Sequence, residues 1–97
     1  VVVQPCNGDG LLRSLVVSER ARGAGIGRDL VYMACQHAEH VGLRSLWLLT
    51  ETAETFFKQQ GFSLRDRQSA PTDILASAQF ASLCPQTSHC LSIDCAA

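Results

Sequence analysis

Much is missing from this chain of 97 residues, and each absence removes a class of function. Eight Lys and Arg against nine Asp and Glu leave a formal charge of −1, so no whole-protein field exists to hold nucleic acid or anionic lipid. Any basic site is local. Long apolar runs are absent too: Val1 to Val3 and Leu46 to Leu49 fall far short of the roughly 20 residues of a membrane span. No charged leader stands before an apolar stretch, and the expectation is a soluble, cytoplasmic protein with neither nucleic acid nor membrane as partner. There is no CxxC pair among Cys6, Cys35, Cys84, Cys90 and Cys95, and their odd number fits neither a disulfide framework nor a zinc ribbon. Reduced thiols are expected. Internal repeats, low-complexity stretches and linkers are also missing.

What is present suits one small domain. A mass of 10.5 kDa and a hydrophobic content of 46% describe a chain that packs a core, with stability kept thin by its size. The opening Val1-Val2-Val3 reads as the end of a strand already under way, which suggests a truncated start. A turn at Asn7-Gly8-Asp9-Gly10 leads into a second strand over 11–17, expected to be its hairpin partner. From Gly25 to Val41, the residues Ile26, Leu30, Met33, Ala34, Ala38 and Val41 recur at helical spacing, and Gly42 supplies a stop. Ser45 to Thr50 is apolar without alternation, as in a strand covered on both faces. Thr52 is placed to cap a helix over 53–60, which Gly61 ends before a short strand begins at Phe62. Pro71 opens a last helix reaching about Leu83, with Ile74, Leu75, Ala78 and Ala81 on one face. The tail after Pro85 reads either as an edge strand over 90–94 or as poorly ordered chain. Strands alternating with helices indicate an α/β or α+β sheet domain.

The chemically informative stretch is Arg20-Ala21-Arg22-Gly23-Ala24-Gly25-Ile26-Gly27-Arg28, between a strand and the longest helix. Glycines there let backbone approach an anion closely, and the unpaired N–H groups and positive dipole end of the helix point at it. Arg22 and Arg28 add forks that match phosphate oxygens. No Lys-Ser or Lys-Thr follows, so the Walker phosphate loop is excluded. Arg28 or Leu30 stands where a dinucleotide fingerprint needs a small residue, so that motif fails as well.

Arg22-x-x-Gly25-x-Gly27 after a strand, then an amphipathic helix, a strand, Ala53-Glu54-Thr55-Phe56-Phe57 and Gly61-Phe62, resembles the GNAT superfamily of acetyl-coenzyme A dependent N-acetyltransferases. The resemblance covers about residues 1–67. It implies a mixed sheet flanked by helices, N-terminally truncated by loss of the opening strand, first helices and second strand. Within that superfamily, Leu11-Leu12-Arg13-Ser14-Leu15-Val16-Val17, Leu48-Leu49-Thr50 and the stretch from Ala70-Pro71 to Cys84-Pro85 look most like the arsenic-resistance acetyltransferases of the ArsN type. That likeness implies an amino-acid-like primary amine as acceptor.

By the same resemblance, Leu15, Val16 and Val17 offer backbone to the pantetheine arm, and the amide of Val16 or Val17 is the oxyanion donor. Arg22, Gly23, Ala24, Gly25, Ile26 and Gly27 would cradle the pyrophosphate of acetyl-coenzyme A, with Arg28 one turn on. Thr50 stands where many relatives carry an asparagine near the cofactor, and Phe57 where many carry a tyrosine that protonates the departing thiolate. General acid catalysis is typically worth about 10² to 10⁴, and a thiolate leaves without much help, so the missing hydroxyl is tolerable. Tyr32 reads as a packing residue. Glu19, where relatives often carry proline, loosens the turn without removing its amides.

Arg13 shares parity with Leu11, Leu15 and Val17. It is either a clamp for a substrate carboxylate or a solvated or ion-paired arginine. No acid accompanies it in the strand, so a general base would be water or lie upstream. His37 and His40 share a helix face without a third ligand, and no metal is expected. Cys84, Cys90 and Cys95 admit a thiolate trap for trivalent arsenic as a lesser reading. The competing function classes are thus an N-acetyltransferase, a catalytically inactive coenzyme A-binding or dimerising module, and a thiol-based arsenic sensor. Unpaired sheet edges make a homodimer the expected assembly.

Overall fold

The computed structural model describes residues 2–13, 25–84 and 86–95. A hairpin of β1 (Val2–Cys6) and β2 (Asp9–Arg13) is followed by α1 (Ile26–His40), β3 (Ser45–Thr50), α2 (Glu54–Gln59), β4 (Ser63–Arg65), α3 (Thr72–Leu75) and β5 (His89–Asp94). The sheet order is β1-β2-β3-β5-β4, antiparallel except where β2 and β3 run parallel. This is the mixed sheet flanked by helices that the sequence led us to expect.

The hairpin turn is tighter than the expected four residues. Cys6 pairs with Asp9, leaving only Asn7 and Gly8 in the loop, both with positive φ (52° and 91°), as a two-residue hairpin with the right-handed strand twist demands. Asp9 and Gly10 therefore belong to β2. There a methyl group on Gly10 would lie 2.7 Å from Leu46 Cδ2 and 3.0 Å from Leu43 Cδ1, so glycine leaves the room that these core side chains fill.

β3 is interior, as its unalternating apolar run suggested. Leu46 and Leu48 join one core with Leu12, Val31, Ala34, Ala38, Phe57, Phe62 and Leu91 beneath α1 and α2. Trp47 joins a second core on the opposite face with Leu11, Ile74, Phe80 and Cys90.

α1 spans nearly the expected residues but turns a different stripe inward. Val31, Ala34 and Ala38 are buried, whereas Met33 and Val41, expected inward, are 62% and 50% exposed. Tyr32 is not a packing residue either: it is 63% exposed, and its hydroxyl accepts from Gln36 Nε2 at 3.0 Å. Ala34 and Ala38 are common to both stripes, and the sheet selects the flank where Val31 sits.

α2 ends in a Schellman closure. Phe62 N–H donates to Phe57 O and Gly61 N–H to Lys58 O, both at 3.1 Å, with Gly61 at φ 99°, and the Phe57 and Phe62 rings meet edge to face at 5.4 Å. α1 closes the same way at Gly42 and Leu43. At its start α2 is not capped by Thr52. Thr50 Oγ1 accepts from Ala53 N–H at 3.1 Å instead.

The expected last helix is broken. α3 has only one turn, and a π-type turn follows at Gln79–Leu83. Buried Ser77 causes the break: its hydroxyl donates to Ile74 O at 2.6 Å and accepts from Phe80 N–H at 3.4 Å, competing with the backbone ladder. Inward go Ile74 and Phe80, while Ala78 and Ala81 are exposed. The tail forms β5, which lies inside the sheet between β3 and β4 rather than at an edge.

Candidate active site

Parallel strands β2 and β3 begin together and then part. Among the described residues their ladder holds only Gly10 with Leu46 and Leu11 with Trp47, although β2 continues to Arg13 and β3 to Thr50. β3 stays paired with β5 along its whole length, and β2 with β1. The facing edges of 12–13 and 48–50 therefore open as a wedge at the C-terminal ends of parallel strands, where α/β sheets hold ligands.

α1 starts beside this wedge. Gly25 is its N-terminal cap, in the left-handed conformation (φ 80°, ψ 6°), and Asp29 N–H donating to Gly25 O at 3.0 Å is the first bond of the helix. The preceding amides of Ile26, Gly27 and Arg28 belong to the turn where helices leave N–H groups for an anion. A methyl group on Gly25 would lie 3.0 Å from Arg28 Nη2, so the guanidinium folds back over the cap. Arg28 pairs with Asp29 at only 3.8 Å, both about 70% exposed, a contact weak enough to yield to phosphate. An open groove of about 420 Å³ continues from Arg28 between α1 and α2, past Tyr32, Cys35, Gln59, Gln60 and Ile93. Tyr32 and the two glutamines were missed in the sequence because they carry no motif. Only the approach of α2 to α1 brings them together.

Leu15, Val16, Val17, Arg22, Gly23 and Ala24 lie outside the described residues. Of the other expected contacts, Gly25 to Arg28 form the first turn of α1 and Thr50 ends β3 at the wedge. Thr50 Oγ1 is used locally as an acceptor and keeps its proton for donation. Phe57 is buried in the core, its ring against Phe56 and Phe62.

Arg13 ends the described part of β2 on the Trp47 side of the sheet and is half-buried. Its Nη1 donates to Gln4 Oε1 at 2.9 Å. With the Gln79 amide oriented to satisfy both of its ends, Gln79 oxygen accepts from Arg13 Nε at 3.1 Å and Nη2 at 3.3 Å.

The cysteines do not assemble. Cys90 lies in the Trp47 core and Cys95 in the core under α1, on opposite faces of the sheet, which removes the three-thiol arsenic trap. Burial pushes both thiols up to about 11. Among the described residues no three His, Cys, Asp or Glu side chains come together as metal ligands, and none of their helices is long and apolar enough to cross a membrane.

Comparison with known proteins accords with this geometry. The acetyltransferase (GNAT) family profile matches residues 2–62, more than half of the chain, and the chain belongs to that family. Among solved structures it is similar to N-acetylglutamate synthase from Neisseria gonorrhoeae complexed with coenzyme A and N-acetyl-glutamate. That match has a TM-score of 0.80 at 21% identity, over 95% of this chain and 22% of that one. The same enzyme complexed with coenzyme A and L-arginine superposes with a TM-score of 0.77 at 20% identity, over 95% and 20% of the two chains. A GNAT-family acetyltransferase from Staphylococcus aureus Mu50 superposes at 0.75 with 18% identity, over 92% and 53%. The chain thus spans between a fifth and about half of the length of these proteins. Comparison with curated proteins finds no match.

Proposed function

We propose that the protein is an acetyl-coenzyme A dependent N-acetyltransferase acting on a small, amino-acid-like primary amine in the cytoplasm. The observation that carries this reading is the wedge between β2 and β3 opening beside a helix that starts on a left-handed glycine under Arg28. A pantetheine arm fits between strands with unpaired edges, and a diphosphate fits the first turn of α1, so the described residues suit coenzyme A. When bound, acetyl-coenzyme A supplies an acetyl group activated as a thioester.

The chain's residues do the rest by holding and orienting. Backbone from Arg22 to Gly27, with Arg28, holds the diphosphate. Leu15, Val16 and Val17 offer backbone to the pantetheine arm, and the amide of Val16 or Val17 donates to the carbonyl oxygen as negative charge develops on it. Thr50 keeps an O–H to give at the wedge. Arg13 takes the acceptor's carboxylate. The likeness to arsenic-resistance acetyltransferases and the N-acetyl-glutamate held by a structural neighbour support an amino-acid-like acceptor. Calorimetric titration with coenzyme A tests the reading. Binding is expected in the wild type and at least about tenfold weaker in an Arg22→Ala, Arg28→Ala variant, since each charge-assisted bond contributes about 1.5–3 kcal/mol. A folded chain that binds no coenzyme A sinks the proposal.

A second reading, a coenzyme A-binding or dimerising module without turnover, is favoured by the β4 edge. Ser63, Leu64 and Arg65 are all exposed, and an open edge invites pairing with a second copy. Sedimentation that shows a dimer lost on Leu64→Lys, together with coenzyme A binding but no acetyl transfer to any amino acid, would select it.

A further inference from the structure

The described arginines divide by partner. Arg28 pairs with Asp29 and Arg44 with Asp9, but no carboxylate pairs with Arg13 among the described residues. Its partners are two neutral amides from opposite directions, Gln4 of β1 and Gln79 of the turn after α3. Three of its N–H groups are engaged, on Nε, Nη1 and Nη2, so each terminal nitrogen keeps a second N–H. Gln79 takes the Nε–Nη2 edge, so a carboxylate reaches the guanidinium at its Nη1–Nη2 end, where both nitrogens still have an N–H to give.

Gln79 is itself firmly mounted. The other end of its amide lies 3.1 Å from Cys84 Sγ, and its carbonyl accepts from Cys84 N–H at 3.1 Å. Arg67 braces the same turn, its Nη2 donating to Phe80 O at 2.6 Å and its guanidinium lying over the Phe80 ring. An arginine side chain loses up to about 2 kcal/mol of rotamer freedom when ordered, and here the ordering precedes ligand binding. A glutamate at position 79 would hold the plane equally well but would cancel its charge.

Resting on the transferase reading for its setting, we propose that Gln79, with Gln4, is a positioning and specificity-determining residue. The two amides fix the Arg13 plane and, among the described residues, no carboxylate cancels its charge, so the site takes amines that carry a carboxylate and rejects the same amines without one. Rejection follows because a neutral analogue leaves a half-buried, pre-ordered cation unpaired.

The test follows the Arg13 Nε–H resonance by NMR, assigned by its loss in Arg13→Lys. L-alanine and L-leucine are titrated against their α-amides, L-alaninamide and L-leucinamide, which carry no carboxylate. In the wild type the acids are expected to bind at least about tenfold more tightly than the amides, as fits a charge-assisted pair. In Gln79→Glu that ratio should fall to within about twofold, whereas Gln79→Leu should weaken acid binding but keep the preference for acids. Should Gln79→Glu fail to fold, Gln4→Glu brings the same charge from β1. A wild type that does not discriminate, or a folded glutamate variant that discriminates as the wild type does, overturns the proposal. Coenzyme A titrated in parallel separates the two readings. Acid preference without coenzyme A binding removes the transferase and leaves the carboxylate site, and the converse removes only the site.

Discussion

The two ends of β2 handle charge in opposite ways. At its start, Asp9 is 6% exposed and its carboxylate is fully occupied: Ser45 Oγ donates to it at 2.8 Å and Arg44 Nη2 at 3.0 Å, while Trp47 Nε1 donates to Ser45 Oγ at 2.9 Å. At its end, the partners of Arg13 among the described residues are two neutral amides, Gln4 and Gln79. The first end is neutralised, zipped by the parallel ladder and sealed against Gly10. The second leaves the β3 ladder among the described residues and carries a half-buried cation. One strand of five residues thus joins a buried, neutralised anchor to a cation held by amides, and the two ends can be perturbed separately.

The sharpest test of the closed end is Leu46→Ala. Leu46 is fully buried against Gly10, and its truncation should cost about 2–5 kcal/mol by chemical denaturation, since the zipped strands cannot collapse around the void. Asp9→Ala should cost about 1–3 kcal/mol, because it leaves buried Ser45 without its acceptor; the Arg44 share is small because that side chain is largely exposed. Arg13→Met tests the other end. A loss under about 1 kcal/mol is expected in the same melts, together with loss of acid binding, and a larger loss would show that Arg13 is an anchor like Asp9.

Alkaline pH should loosen the molecule through its thiols. Cys90 and Cys95 are raised from 9.0 to about 11, chiefly by burial, so above pH 9 the unfolded chain releases protons that the folded chain retains. Their contribution is whole below pH 9 and is lost as pH climbs towards 11. The denaturant midpoint should fall across that window, and less steeply in Cys95→Ala. Smallest of all is Glu54→Gln. The Lys58 hydrogen bond holds the Glu54 carboxyl below its usual range, but the group is solvated, and thermal melts at pH 7 should move within the noise of a surface pair.

How much of this was legible beforehand varies from element to element. α1, β3, the hairpin and the closures at Gly42 and Gly61 follow from period, glycine position and flanking residues, all of which act within a few residues. The inward stripe of α1 did not follow, since Met33 and Val41 fit helical spacing as well as Val31 does, and only the approach of the sheet separates them. Nor did the break at Ser77, whose hydroxyl competes with the helix only when buried against Ile74. In the candidate site, the glycine turn was written in the local order of residues. The amide partners of Arg13 were not, because Gln4 and Gln79 lie far apart along the chain and bear no motif.

By itself the sequence determined where most strands and helices form, that the sheet is mixed, and that the long helix opens on a glycine. Those features depend on dihedral preference and hydrogen bonding between near neighbours. Tertiary structure alone decided that β5 enters between β3 and β4, that Cys90 and Cys95 face opposite cores, and that Gln4 and Gln79 meet at Arg13. Each of these depends on which distant groups meet when apolar faces are buried, and burial is non-directional, so no local pattern encodes the partner.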